Sequence, residues 1–157
     1  LAVLSEEILY QLLDIMPVAR LGLLDGVGLP ATMPIVFARV SDGLFSPIDG
    51  KPKSSAKLAR IKLIENQPKG TLLLDHYHDN WEQLWWVKMD IEATVISMEH
   101  NLWDQAVSGL RAKYPQYHSV SLFKDNPTMI GVRWTRVRWW ASNELKGIKR
   151  WIETRVV

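Results

Sequence analysis

The chain has no cysteine. That excludes thiolate catalysis, zinc ribbons, iron–sulfur clusters and disulfide staples together, and it fits a reducing compartment. Long apolar runs are missing as well: no stretch of about 18 consecutive apolar residues occurs, so no membrane-spanning helix is encoded. The opening LAVLSEEILY reaches Glu6 and Glu7 before the apolar core of a signal peptide could form. The expectation is a cytoplasmic protein with no membrane partner. Charge of one sign is scarce. Nineteen Lys and Arg against 17 Asp and Glu leave a net charge of +2, too little to blanket a polyanion, and no recognition motif for nucleic acid is present.

What is there is an ordinary globular composition. The 157 residues are 47% apolar and 23% charged, which predicts one domain over residues 1–157 with a real core. Residues 5–16 put Ile8, Leu9, Leu12, Leu13 and Met16 on one helical stripe behind a Ser5 cap, and Pro17 ends it. Three strand-like runs follow, VARLGLL, ATMPIVFARV and LFSPI, separated by the turn signals DGVG and SDG. Residues 53–65 return to helical spacing, and GTLLLDHYH reads as a strand. From Val87 to Val95 apolar and polar residues alternate without a break. A helix is predicted over 102–113. In TMIGVRWTRVRWW the inward phase of Ile130, Val132 and Trp134 passes to Val137 and Trp139, which requires a bulge or a change of partner surface. The tail, 141–157, can form a last helix through Leu145, Ile148 and Ile152. Six strands without strand–helix alternation predict a mainly β fold, a small six-stranded antiparallel barrel with flanking helices.

Several catalytic motifs fail. GVG at 26–28 lacks the third glycine and the strand-to-helix setting of a dinucleotide loop, so it is a hairpin turn. GKPKSS has the Gly-Lys of a phosphate loop, but the earlier glycine is replaced by Phe45. His76 and His78 share a strand face beside Asp75 and Asp79, yet no third metal ligand stands at suitable spacing. A polar strand end is the plainer reading.

Two features remain. Between Gly50 and Ile64 stand Lys51, Lys53, Lys57, Arg60 and Lys62 with no acid. With the hydroxyls of Ser54 and Ser55 and the free N–H groups of a first helical turn, they have the ingredients of an anion pocket as well as of a plain solvated helix face. The eight tryptophans include two clusters, Trp81, Trp85 and Trp86, and Trp134, Trp139 and Trp140. Flat walls of this kind suit a stacked heterocycle, a core or a dimer interface. Taken together, phosphate pocket and aromatic walls point to a phosphorylated planar ligand such as flavin mononucleotide.

The order VARLGLL, DG turn, PIVFARV, LFSPIDGKPKSSAKLARI, NQP, TLLLDHY, WWVKMDIEATV and RVRWW resembles the pyridoxamine 5'-phosphate oxidase-like split-barrel flavoproteins over roughly residues 17–141. It is most similar to the subgroup often assigned to the deazaflavin coenzyme F-420. The resemblance implies a homodimer with FMN, or F-420 in its place, in clefts between subunits. It places Pro34, Ile35 and Val36 along the flavin ring, with backbone N–H groups of that strand facing ring N5 or O4. The family's Tyr-Thr falls on Phe45 and Ser46, and its phosphate-binding Ser-Arg-Lys on Ser55, Ala56 and Lys57, near Lys51 and Lys53. Trp86 and Trp140 map to residues contributed by the partner chain, and Arg150 to a later cofactor or substrate arginine. Where pyridoxamine phosphate oxidases carry an Arg and a Lys flanking the second-strand segment, this chain has Met33 and Ala38, so vitamin B6 oxidation is not expected. The implied function is an oxidoreductase transferring hydride to or from a small organic substrate. A flavin carrier or sensor without turnover, and a haem-binding split barrel, are the alternatives.

Overall fold

The computed structural model describes residues 3–48, 55–124 and 126–156, with residues 55–57 as backbone only. Helix α1 (Glu6–Ile15) begins as its sequence requires: the Ser5 side chain accepts the Ile8 N–H at 3.3 Å, and Glu6 and Glu7 occupy the first turn. Its buried stripe is Ile8, Leu9, Leu12 and Leu13. Strand β1 (Ala19–Leu24) pairs antiparallel with β2 (Pro30–Ile35). The connecting turn is fixed by Asp25, whose Oδ1 accepts the N–H groups of Val27 and Leu29, while Gly28 takes φ +83°.

The run 31–40 is two strands, which makes seven among the described residues instead of six. Strand β2 ends at Ile35 and β3 is Ala38–Val40. The cause lies 77 residues away. The Tyr114 hydroxyl accepts the Phe37 N–H at 3.0 Å and lies 3.1 Å from the Phe37 carbonyl, so the Phe37 backbone is taken out of any ladder. Strand β3 pairs with β4 (Gly43–Pro47), at the opposite edge of the sheet from β2.

The remaining elements are α2 (Ser55–Asn66), β5 (Lys69–His76), β6 (Trp85–Ile96), α3 (Trp103–Lys113), β7 (Met129–Ala141) and α4 (Glu144–Arg155). The strand order is β2-β1-β5-β6-β7-β4-β3, and every neighbouring pair is antiparallel. The two edge strands are therefore joined by only Val36 and Phe37, which curls the sheet into a barrel split along that line. The phase change in β7 is a bulge: Asp90 faces Arg136 but Ile91 faces Trp134, leaving Thr135 as the extra residue with its hydroxyl 3.3 Å from the Asp90 carbonyl.

Inward residues of alternate strand positions, Leu21, Leu23, Leu72, Leu74, Val87 and Met89 among them, form the main core together with α1 and with Ile148 and Ile152 of α4. A second cluster packs Trp103, Ala106 and Leu110 of α3 on Phe45, Ile96 and Met129, on the outer side of the sheet. Gly70 permits an unusually close crossing, since a Cβ there would lie 2.2 Å from the Gly22 carbonyl oxygen. Among the described residues no helix is long and apolar enough to cross a membrane.

Candidate functional site

Strand alternation separates the tryptophans. Trp85 is 2% exposed, while its neighbour Trp86 points to the other face, directly opposite Trp140, which is 44% exposed. Trp134 and Trp139 pack against the main core, and Trp81 is 68% exposed in a short 3-10 turn over Trp81–Gln83. The pair Trp86–Trp140 thus marks an outer sheet face. Register places Lys88 opposite Arg138 and Asp90 opposite Arg136, with Asp75 beside Trp86 and Arg20 in the row beyond. Four cations meet two carboxylates on this face. Arg138 Nη2 bonds Asp90 Oδ1, Arg20 stands 3.7 Å from Asp75, and Lys88 Nζ lies 5.6 Å from the Trp86 ring centre. The buried Arg138 Nε has no acceptor among the described residues. An anionic group with a planar body matches that inventory.

Pro34 is exposed on the same face but in edge strand β2, separated from β6 by β1 and β5, about 14 Å at the usual strand spacing. One chain therefore does not bring Pro34 to the Trp86–Trp140 pair. Pro34 also has no N–H to offer a ring. Because Pro30 and Pro34 must turn their donorless sides outward, the alternation within β2 directs the Thr32 N–H to the free edge. Ile35 is 5% exposed and faces the core, and Ser46 is 3% exposed opposite Ile130 on β7. Ser55 and Lys57 fall in the first turn of α2, with side chains outside the described residues. Lys51 and Lys53 lie outside the described residues altogether.

Two concavities flank the face. One, of about 410 Å³, is lined by Phe45, Glu92, Thr94, His100, Gly131 and Arg133. A Cβ at Gly131 would press Thr94 Oγ1 at 3.2 Å, so the glycine keeps its floor open. His100 Nδ1 accepts the Leu102 N–H at 3.1 Å, which leaves Nε2 as its outward nitrogen. The other, of about 190 Å³, lies between the Trp81–Gln83 turn and α4 and includes Gln83, Asn143, Arg150 and Trp151. His76 packs its ring 5.6 Å from Trp151 and 6.3 Å from Trp85. Partial burial, reinforced by Arg155 and His78, lowers its pKa. The His76 and His78 rings stand 6.2 Å apart, and no group of three metal-ligating side chains occurs among the described residues.

Sequence reading missed the residues that fix the split. Lys113 donates to the Leu13 carbonyl at 2.9 Å and stands 3.7 Å over the Phe37 ring. Burial lowers its pKa to about 7 against the pull of Asp14. Burial also raises Tyr114 to about 12, against its hydrogen bond with the Phe37 backbone. Neither residue belongs to a local motif, so only the three-dimensional contact reveals them.

A curled antiparallel sheet split between β2 and β3 and flanked by helices is the fold of the pyridoxamine 5'-phosphate oxidase-like split barrels. The chain shares it with a FAD-binding protein from Mesorhizobium loti (17% identity over 87% of this chain and 94% of that one, TM-score 0.64). It is similar likewise to the heme-storage protein HutZ of Vibrio cholerae (13% identity, 87% and 93% covered, TM-score 0.63) and to a candidate pyridoxamine 5'-phosphate oxidase of Listeria innocua (13%, 88% and 98%, TM-score 0.60). No protein-family model and no curated protein matches the sequence.

Proposed function

We propose that the protein is a flavin-dependent oxidoreductase that binds FMN, or the deazaflavin coenzyme F-420, between two copies of itself. The observation that carries this reading is the division of the candidate site. The free backbone edge of β2 at Thr32 and the aromatic, cationic face at Trp86, Trp140, Lys88 and Arg138 lie on one chain but about three strands apart, so a second chain is needed to close them on one ligand. The similarity to a FAD-binding protein supports the ligand class. A bound flavin would supply hydride transfer. The chain's own part is binding and orientation. Thr32 presents its N–H at the edge, the tryptophans shape and dry the substrate side, and Lys57 with its neighbouring lysines answers the phosphate charge.

Haem binding is the second reading. It is favoured by His100, which lines the Phe45 cleft and makes its backbone contact through Nδ1 and not Nε2, and by similarity to HutZ. An absorbance spectrum of the purified protein, with mass identification of the extracted cofactor, separates the readings: a flavin or deazaflavin band supports the first, a Soret band the second. Turnover of reduced cofactor with a panel of acceptors then separates an enzyme from a carrier. A protein that binds flavin while sedimenting as a monomer would refute the shared site.

A further inference from the structure

Lys113 and Tyr114 end α3 at the point where α1, the β2–β3 crossover and α3 meet. The Lys113 Nζ donates to Leu13 O in the last turn of α1 and rests on the Phe37 ring, and the adjacent Tyr114 hydroxyl takes the Phe37 N–H. Phe37 itself is fully buried. The charged or titratable groups facing this point are Asp14 of α1, Tyr114, and Arg39 of β3, which engages both Asp14 oxygens at 2.9 Å. Asp14 is thus already committed to a permanently charged partner. The site offers Lys113 one carbonyl, the Phe37 ring at 3.7 Å and the Tyr114 ring at 5.5 Å, enough for a neutral amine but a poor exchange for the water around an ammonium.

We propose that Lys113 is a positioning residue that works as a proton-controlled latch on the β2–β3 crossover: the neutral amine holds Val36 and Phe37 in place, and protonation drives the side chain toward water and loosens them. The consequence for ligand binding rests on the flavin reading, because that reading lays the ring along the strand that ends at this crossover. The sign follows from linkage. Where the closed form holds the proton less tightly than the open one, acidification favours opening. The crossover tightens as pH rises through neutrality.

Amide hydrogen exchange of Phe37 tests the latch without any ligand. Its protection factor, corrected for intrinsic exchange, is expected to rise by ~10-fold or more between about pH 6 and pH 8.5, ahead of amides in the centre of β6. In Lys113→Met, which keeps the stem over Phe37 and removes the titrating group, the rise disappears and protection stays high at both ends. A wild-type Phe37 protection factor that is flat with pH, or a slope that persists in Lys113→Met, overturns the proposal. FMN affinity measured over the same range should rise in parallel. A protein that shows the exchange slope but binds no FMN keeps the latch and refutes the flavin reading.

Discussion

Replacing Tyr114 with Phe removes one oxygen and leaves the ring in place. That oxygen accepts the Phe37 N–H at 3.0 Å, and its proton is shared between the Pro17 carbonyl at 2.8 Å and the Phe37 carbonyl at 3.1 Å. Phe37 is fully buried, so its N–H would have no substitute acceptor and carries the full desolvation cost, about 1–3 kcal/mol. Losing the donor adds about 0.5–1.5 kcal/mol, and water at exposed Pro17 recovers part of it. The sum is about 1.5–4.5 kcal/mol of stability before that recovery. Urea unfolding measures it directly, with an unchanged slope expected because the surface exposed on unfolding is the same. A loss below about 0.5 kcal/mol would mean that the hydroxyl does not anchor the crossover, and the account of why β2 and β3 are separate strands would fall with it.

Gly70→Ala is expected to cost about 3 kcal/mol or more, since its Cβ would meet the Gly22 carbonyl oxygen at 2.2 Å and a backbone atom cannot rotate aside; an unchanged melting temperature contradicts the close crossing. Lys57→Glu should weaken FMN binding at least about tenfold, or ~1.4 kcal/mol, by fluorescence titration, and equal affinity removes Lys57 from the phosphate site. If two copies share the site as proposed, Trp140→Glu, which places a carboxylate on the outer face opposite Trp86, should weaken that pairing in sedimentation, with self-association equal to wild type as the refuting result. Stability should decline as pH falls from about 10.5 to about 7, because unfolded Lys113 binds its proton more tightly than folded Lys113. Thermal melts of Lys113→Met should show a shallower decline, and identical slopes refute the assignment.

Periodicity made much of this architecture legible. The stripe of α1, the alternation of β6 and the buried side of α4 each lie within one element, where spacing alone separates inside from outside. The phase change in β7 revealed its bulge because Arg136 and Arg138 could not follow Trp134 inward. The division of 31–40 was not legible: ATMPIVFARV is a good strand by composition, and what breaks it is a hydroxyl from Tyr114. The pairing of β6 with β7 puts Trp86 and Trp140 on one face, and the strand order puts Pro34 three strands off; local spacing encodes neither. Resemblance placed Ile35 along the ring and matched Ser46 to the family's Tyr-Thr. Their side chains serve the core of the single chain, so any contribution of theirs to a ligand would come through backbone atoms.

The extra residue at Thr135 also draws a boundary. On one side of it the outward pairs, Thr94 with Gly131 and Ile96 with Met129, run toward the territory capped by α3; on the other lie Lys88 with Arg138 and Trp86 with Trp140, half-buried up to the exposed Trp140. The ion pairs respect the line, Glu92 with Arg133 before it and Asp90 with Arg138 beyond it. Changes to helix packing at Phe45 and changes to the bare surface at Trp140 should therefore combine additively in free energy. A lineage could redesign what this hairpin recognises without renegotiating how the domain is held together.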